Sequence, residues 1–251
     1  MDDKFWYLKS CDLFERLDKE QVSRLESRST SRIFQRNSLV YVPTDENDSV
    51  LLLVSGRVKI YHVTGDGKQA LLTIIDPGEL FGELAVFSEG RRDEFAETME
   101  ASTIVHIPGN EVQRLMSEHP TVSLEMTRLM GLRRKGYERR LKSLLFRSNR
   151  EKLVHLLLEL VEKYGQQTPD GVLIGLKLSH QDLASIIGST RETVTVVLGE
   201  LEVEGRLIKN GRRFVLTNVD RLAESIEVDP PQVVTTKKVV KERPKRTRLP
   251  T

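Results

Sequence analysis

Cysteine is almost missing from this sequence: among 251 residues there is one, Cys11. A single thiol excludes an internal disulfide, and with it any zinc site or iron–sulfur cluster assembled from several thiolates of one chain. The five histidines, His62, His106, His119, His155 and His180, contain no pair at metal-ligand spacing, so neither a metal nor another cofactor is expected. No apolar run is long enough to span a bilayer. The opening MDDKFWYLKS lacks the basic segment followed by an apolar core that marks a secretory signal, and a cytoplasmic chain with no membrane partner is the expectation. A nucleophile beside a base, a phosphate-loop lysine motif and a metal constellation are also missing, so nothing supports an enzyme. Nor is either charge in excess, with 39 Lys and Arg facing 37 Asp and Glu. The cations are unevenly placed, between Arg133 and Lys142, around residues 209–213, and in the last residues. Such patches matter more to a polyanion than the total of +2 does.

What is present begins with length and balance: 251 residues, 38% hydrophobic and 30% charged, suit a soluble globular protein of two domains. The stretch from Leu178 to Leu201, LSHQDLASIIGSTRETVTVVLGEL, reads as two short helices with a tight turn between them. Ser179 can cap the first through the backbone N–H near Asp182, and Leu183, Ile186 and Ile187 form an apolar stripe that Gly188 ends. Ser189 or Thr190 caps the second, whose Val194, Val197, Leu198 and Leu201 recur at helical spacing. Ser189 with Glu192 also fits a capping box. Arg191, Glu192, Thr195, Val196 and Gly199 point away from that stripe, the layout of a recognition helix offering its N-terminal side chains to a major groove. Any small helical hairpin could repeat its apolar residues this way. The sequel LIKNGRRFVL favours DNA, because two apolar-patterned runs joined at Asn210-Gly211 make a hairpin wing carrying Lys209, Arg212 and Arg213 for phosphates. The candidate DNA contacts are therefore Ser179, His180 and Gln181, then Ser189, Thr190, Arg191, Glu192, Thr195 and Val196, with Arg212 and Arg213 on the wing.

The N-terminal half opens with short helical material, Leu13 to Leu25. Strand-like runs follow at Ile33–Phe34, Leu39–Val42, Val50–Val54, Arg57–His62, Ala70–Ile75 and Thr103–Ile107. Gly56, Gly67 and Gly78 recur among them, which suggests a small antiparallel roll or barrel; a β-sandwich is the alternative. Within it lies DPGELFGELAVFSEGRRDEFAETMEAS, Asp76 to Ser102. This stretch resembles the phosphate-binding cassette of cyclic-nucleotide-binding domains. From about Leu13 to about Asn218, covering roll, long helix and winged helix in order, the chain resembles the CRP/FNR family of bacterial transcription regulators. The resemblance implies a homodimer that reads a near-palindromic promoter site under control of a sensor half, with duplex DNA and a second copy as partners and RNA polymerase as a further one. Many members carry an arginine at the place of Val196, while Arg191 and Glu192 match the family's Arg-Glu positions.

Gly82, Glu83 and Leu84 match the cassette's turn into a short helix, where backbone N–H groups can cradle an anion and a carboxylate can accept from a ribose hydroxyl. In cyclic-AMP receptors an Arg-Ser pair follows that glutamate by about ten positions and neutralises the cyclic phosphate. Here Asp93 and Glu94 hold that place, and two carboxylates would repel it. Arg91 and Arg92 lie next door and could rescue the charge if the loop shifted, but a guanidinium displaced by one or two residues would point elsewhere. A Thr-Ser pair on the long helix contacts the adenine in those receptors, and Tyr137 and Glu138 stand there instead. Gly82, Glu83, Leu84, Arg91, Arg92, Asp93, Glu94, Tyr137 and Glu138 thus outline an effector pocket from which cyclic AMP is expected to be excluded. Its own effector is unknown.

After Pro120 a run without further proline is apolar at Met130, Tyr137 and Leu144, with Leu141 offset, a heptad spacing that suggests a coiled-coil dimer seam. Arg133, Arg134, Arg139 and Arg140 cannot all face such a seam and must reach solvent or acidic partners. The alternative is a basic surface helix packed on its own chain, for which the roll's apolar content leaves little core to cover. Ser148 and Asn149 read as hinge, Glu151 to Lys163 as an amphipathic helix through Leu153, Leu156, Leu157 and Leu160, Gly165 to Gly171 as loop, and Val172 to Leu178 as a short strand. From Asp229 the chain turns to Pro, Thr, Lys, Arg and Val and reads as a disordered basic tail, either a sequence-independent aid to DNA affinity or a solubilising extension. The expected fold is α+β: an antiparallel β-roll over 1–119, a dimerisation helix and hinge over 120–147, a winged helix-turn-helix over 148–228, and a tail over 229–251. A regulatory module whose C-terminal half contacts protein rather than DNA is the rival reading.

Overall fold

In the computed structural model, which describes residues 17–87 and 90–232, the first helix, α1, runs Lys19–Arg28. Cys11 and the basic residues Lys237 to Arg248 lie outside the described residues. Asp18 caps α1 in a capping box, its side chain accepting from the Gln21 N–H while Gln21 answers the Asp18 N–H, both at 2.9 Å.

Eight strands then build the roll: β1 (Thr30–Phe34), β2 (Leu39–Tyr41), β3 (Ser49–Ser55), β4 (Val58–Val63), β5 (Gln69–Ile75), β6 (Leu80–Phe81), β7 (Phe95–Thr98) and β8 (Ser102–Pro108). They pair antiparallel into two four-stranded sheets, β1-β8-β3-β6 and β2-β7-β4-β5. The expected glycines sit in the turns, with φ of 86° at Gly56, 79° at Gly67 and 90° at Gly78. Strand β3 explains the run LLLV, because both its faces are buried. Leu51 and Leu53 enter a core with Tyr41, Ile60, Phe81 and Ile104. Val50 and Leu52 enter a second core with Val22 and Leu25 of α1, Val112 and Leu115 of α2 (Gly109–Glu118), and Val122 and Met126 of α3 (Pro120–Phe146). The long helix therefore does cover core with its first turns, contrary to the expectation that the roll left it little. Strands β6 and β7 and helix α2 had no counterpart in the sequence reading.

The chain divides between Ser143 and Leu144, inside α3, into two compact units. In the second, α4 runs Asn149–Tyr164 and buries Leu153, Val154, Leu156, Leu157, Leu158, Leu160 and Val161, more than the single stripe expected. Ser148 is its N-cap and Asn149 its first residue, so the expected hinge pair instead starts a helix. Gly165–Thr168 is strand β9, paired with β10 (Gly171–Ile174), where a loop was expected. Helices α5 (His180–Ile187) and α6 (Arg191–Val203) follow, then β11 (Leu207–Asn210), β12 (Arg213–Leu216) and α7 (Val219–Glu224). The unit's sheet has the order β11-β12-β10-β9.

Candidate nucleic-acid interface and sensor cassette

The helix pair forms by the local chemistry its sequence carries. Ser179 and Asp182 make a reciprocal capping box on α5, and Gly188 closes that helix with a left-handed φ of 62°. Thr190, not Ser189, caps α6, its hydroxyl accepting from the Thr193 N–H at 3.2 Å. The Ser189–Glu192 capping box is therefore replaced: Ser189 lies in the turn, and its N–H goes to the Ala184 carbonyl at 3.0 Å. Val194, Val197, Leu198 and Leu201 are buried as expected. Their burial leaves Arg191, Glu192, Thr195 and Val196 exposed on the opposite face, with Gln181 and Thr190 exposed and Ser179 and His180 half-buried.

The wing is present, one residue out of phase with the sequence reading. Asn210 pairs with Arg213, so the two turn residues are Gly211 and Arg212, and Gly211 takes a φ of 62°. Glycine at the first central position is what one of the two favoured hairpin turns requires. The shift leaves Arg212 at the tip and Arg213 beside it, both exposed. Lys209 is diverted to Glu202 of α6, 2.7 Å away, and braces the wing against the helix. A further contact had no signal in the sequence: His180 Nδ1 lies 2.8 Å from Thr195 Oγ1, joining the start of α5 to the face of α6.

In the first unit, Gly82 turns the chain into a 3-10 helix, Glu83–Val86, with a φ of 64°. A Cβ there would meet Arg92 Nη1 at 2.5 Å and Leu51 Cδ1 at 2.8 Å. Arg92 therefore does not point elsewhere, as its displacement in sequence suggested. It is 6% exposed, donates to the Ser49 carbonyl at 2.8 Å, and lies 4.2 Å over the Tyr41 ring. Tyr41 in turn donates to Glu94 at 3.0 Å, and burial, reinforced by that carboxylate, pushes its hydroxyl well above the ordinary phenol range. Arg91 and Asp93 face solvent, and Leu84 is 44% exposed. Behind the cassette His106 is held neutral, its pKa lowered to about 4 by burial and then by Arg32 and Arg92.

Helix α3 reaches the roll through two arginines, one at the cassette and one on β5. Arg133 pairs with Glu83 and also donates to the Leu80 carbonyl. Arg140 donates to the Leu71 carbonyl at 2.9 Å. Tyr137 stands near them, burial raising its pKa and the charges of Arg133, Glu83 and Glu94 adding smaller effects. Glu138 points elsewhere, pairing with Arg134 on the exposed side at 2.9 Å, and so does not line this chain's own cassette. Of the expected seam, Tyr137 (47%) and Leu141 (56%) are exposed, while Met130 and Leu144 are half-buried. Among the described residues no group of His, Cys, Asp and Glu could hold a metal, and no helix is long and apolar enough to cross a membrane.

Known protein families match the chain in two stretches. Residues 31–119 match the cyclic nucleotide-binding domain, and residues 151–225 match the Crp-like helix-turn-helix domain. The global nitrogen regulator of a Synechocystis species is 34% identical over 177 residues, 70% of this chain and 78% of that one. The CRP-like cAMP-activated global transcriptional regulator of Mycobacterium tuberculosis is 25% identical over 216 residues, 86% of this chain and 96% of its own. Among solved structures, a CooA mutant from Carboxydothermus hydrogenoformans superposes with a TM-score of 0.73 at 26% identity, covering 88% of this chain and 99% of that one.

Proposed function

Since the chain belongs to the CRP/FNR family of bacterial transcription regulators, we propose that it acts as a homodimer that reads an inverted repeat through α6, governed by a sensor roll that does not take cyclic AMP. The observation that carries the reading is the exposed set Arg191, Glu192, Thr195 and Val196 beside the Arg212–Arg213 wing tip, opposite the buried Val194, Val197, Leu198 and Leu201 of α6. Arg191 suits bidentate bonds to a guanine, and Glu192 can accept from a cytosine N4. Val196, with no polar atom, can only touch a thymine methyl or leave its pair unread. The exposed Tyr137 and Leu141 of α3 support a helix-to-helix seam with a second copy, together with Met130 and Leu144. RNA polymerase is a further partner of this reading, and the cytoplasm its place of action.

The relatives' names do not fix an effector, since one is cAMP-activated and another a nitrogen regulator. The residues argue against cyclic AMP. Glu83, the carboxylate suited to a ribose hydroxyl, is engaged by Arg133; in sequence Asp93 and Glu94 hold the place of the receptors' Arg-Ser pair, and the neighbouring cation Arg92 is already engaged by the Ser49 carbonyl and the Tyr41 ring. Selection on randomised duplex, run with wild type and Arg191→Ala, tests the DNA assignment. The variant is expected to relax one position of each half-site by about ten- to a hundredfold, the worth of one bidentate contact. The same motif with the same information at each base from both proteins would make Arg191 a phosphate clamp and refute the assignment.

A further inference from the structure

Thr195 Oγ1 has two polar neighbours, the Arg191 carbonyl at 2.8 Å and His180 Nδ1 at 2.8 Å. A carbonyl can only accept, so the single hydroxyl proton is directed to Arg191 and the oxygen must accept from the imidazole. The chain of donation therefore runs from His180 Nδ1–H to Thr195 Oγ1–H to the Arg191 carbonyl. This fixes the tautomer. In the neutral ring Nε2 is left with a lone pair and no proton.

That state mismatches the proposed surroundings. His180 is the first residue of α5, next to the exposed Gln181, both of them candidate DNA contacts, and a helix start is a place where backbone phosphates bind. A phosphate oxygen is an acceptor, and so is an unprotonated Nε2. The charged groups acting on the ring are Lys209 from β11 and Arg191 from α6, both cationic, and from β12 it meets the Phe214 ring, 6.5 Å away. Burial first, and then those two cations, hold the imidazole below its ordinary pKa in the free protein. A polyanion placed against the same surface reverses the sign of that field.

Resting on the DNA-binding reading, we propose that His180 takes up one proton from solvent as each subunit closes on DNA and donates it through Nε2 to a backbone phosphate, which makes DNA affinity fall as pH rises. The sign follows from linkage. Where the complex holds more protons than the free partners, raising the pH favours dissociation, between the free and bound titrations of the ring. With the Nδ1 proton tied to Thr195, the same event strengthens the hold on Arg191's turn of α6. DNA contact and the pose of the base-reading arginine are thereby joined through one imidazole.

The test uses the full chain and the duplex recovered by selection. Wild-type affinity is expected to fall by about three- to tenfold per subunit between about pH 6 and about pH 8, and calorimetry in buffers of different ionisation heat should show proton uptake on binding. His180→Gln, which can donate to a phosphate but does not titrate, should bind with a flat profile over that range and without buffer-dependent heat. Nitrogen-detected NMR of the free wild type should show the proton on Nδ1, and Thr195→Val should release that preference. Equal pH slopes in wild type and His180→Gln, or an Nε2-protonated ring in the free protein, would overturn this inference alone. Failure of the wild type to bind duplex at any pH would overturn the functional reading and this inference with it.

Discussion

The two ends of this molecule handle polar side chains in opposite ways. In and around the cassette several are turned inward and satisfied within the chain, Arg92 by Ser49 and Tyr41, Tyr41 by Glu94, Glu83 by Arg133, while Arg91 and Asp93 stay in solvent. On α6 and the wing tip, Arg191, Glu192, Arg212 and Arg213 are left in water. A polar group buried without a partner costs about 1–3 kcal/mol, so inward groups must find partners from their own fold. Surface groups carry no such cost and stay available for an external ligand. The difference separates a region built to hold its own shape from one built to meet something else.

The strongest way to break the comparison is at Gly82. Gly82→Ala forces a side chain into left-handed backbone and onto Arg92 and Leu51, and should destabilise the roll by about 3 kcal/mol, read by denaturant unfolding and by hydrogen exchange localised to β3 and β6. Unchanged exchange there would mean the cassette is not tightly closed. Next comes a matched pair of arginines. Arg92→Ala should cost about 2 kcal/mol of stability, since it strips the packing on Tyr41 and leaves the Ser49 carbonyl unanswered. Arg212→Ala should change stability by less than about 0.5 kcal/mol while lowering the salt slope of DNA binding by about one. If the two effects were exchanged, the contrast between the regions would be false.

A smaller effect is expected from pH. The folded pKa of His106, about 4, lies below its ordinary 6.5, so the stability it contributes is present above 6.5 and is lost as pH falls toward 4. Allowing for its partial exposure, the loss is about 1–2 kcal/mol, and His106→Leu should remove that part of the acid destabilisation. The smallest expected effect is none at all: millimolar cyclic AMP should move neither the melting temperature nor DNA affinity. Calorimetric binding with a micromolar dissociation constant would show that the internal partners can be displaced.

What the sequence made legible was local. Caps such as Ser179 with Asp182, the stop at Gly188, and the apolar spacing of α6 are all determined within a few residues, and they appear where they were expected. The misreadings were local choices between near-equals. Ser189 with Glu192 fits a capping box as well as Thr190 fits the cap it proves to be, and Asn210-Gly211 and Gly211-Arg212 are both plausible turns until strand register decides. The polar GQQT stretch of β9 carries no apolar alternation, so only its pairing with β10 reveals a strand. The inward Arg92 was illegible for another reason. Its partners, Ser49 and Tyr41, lie 43 and 51 positions earlier by subtraction of residue numbers, and only the assembled sheets bring them together.

The attachment of α3 to the roll has an asymmetric vulnerability. Arg140 grips the backbone oxygen of Leu71, and Arg133 that of Leu80 as well as Glu83. Every residue type presents the same carbonyl, so the roll's side chains at positions 71 and 80 can be exchanged, within the limits of packing, without removing the acceptor. On the helix side there is no such redundancy, because a lysine offers neither the planar fork nor its reach. The backbone part of this anchorage therefore rests on two codons of the helix, and on the surface it holds only Glu83 is fixed by its side chain.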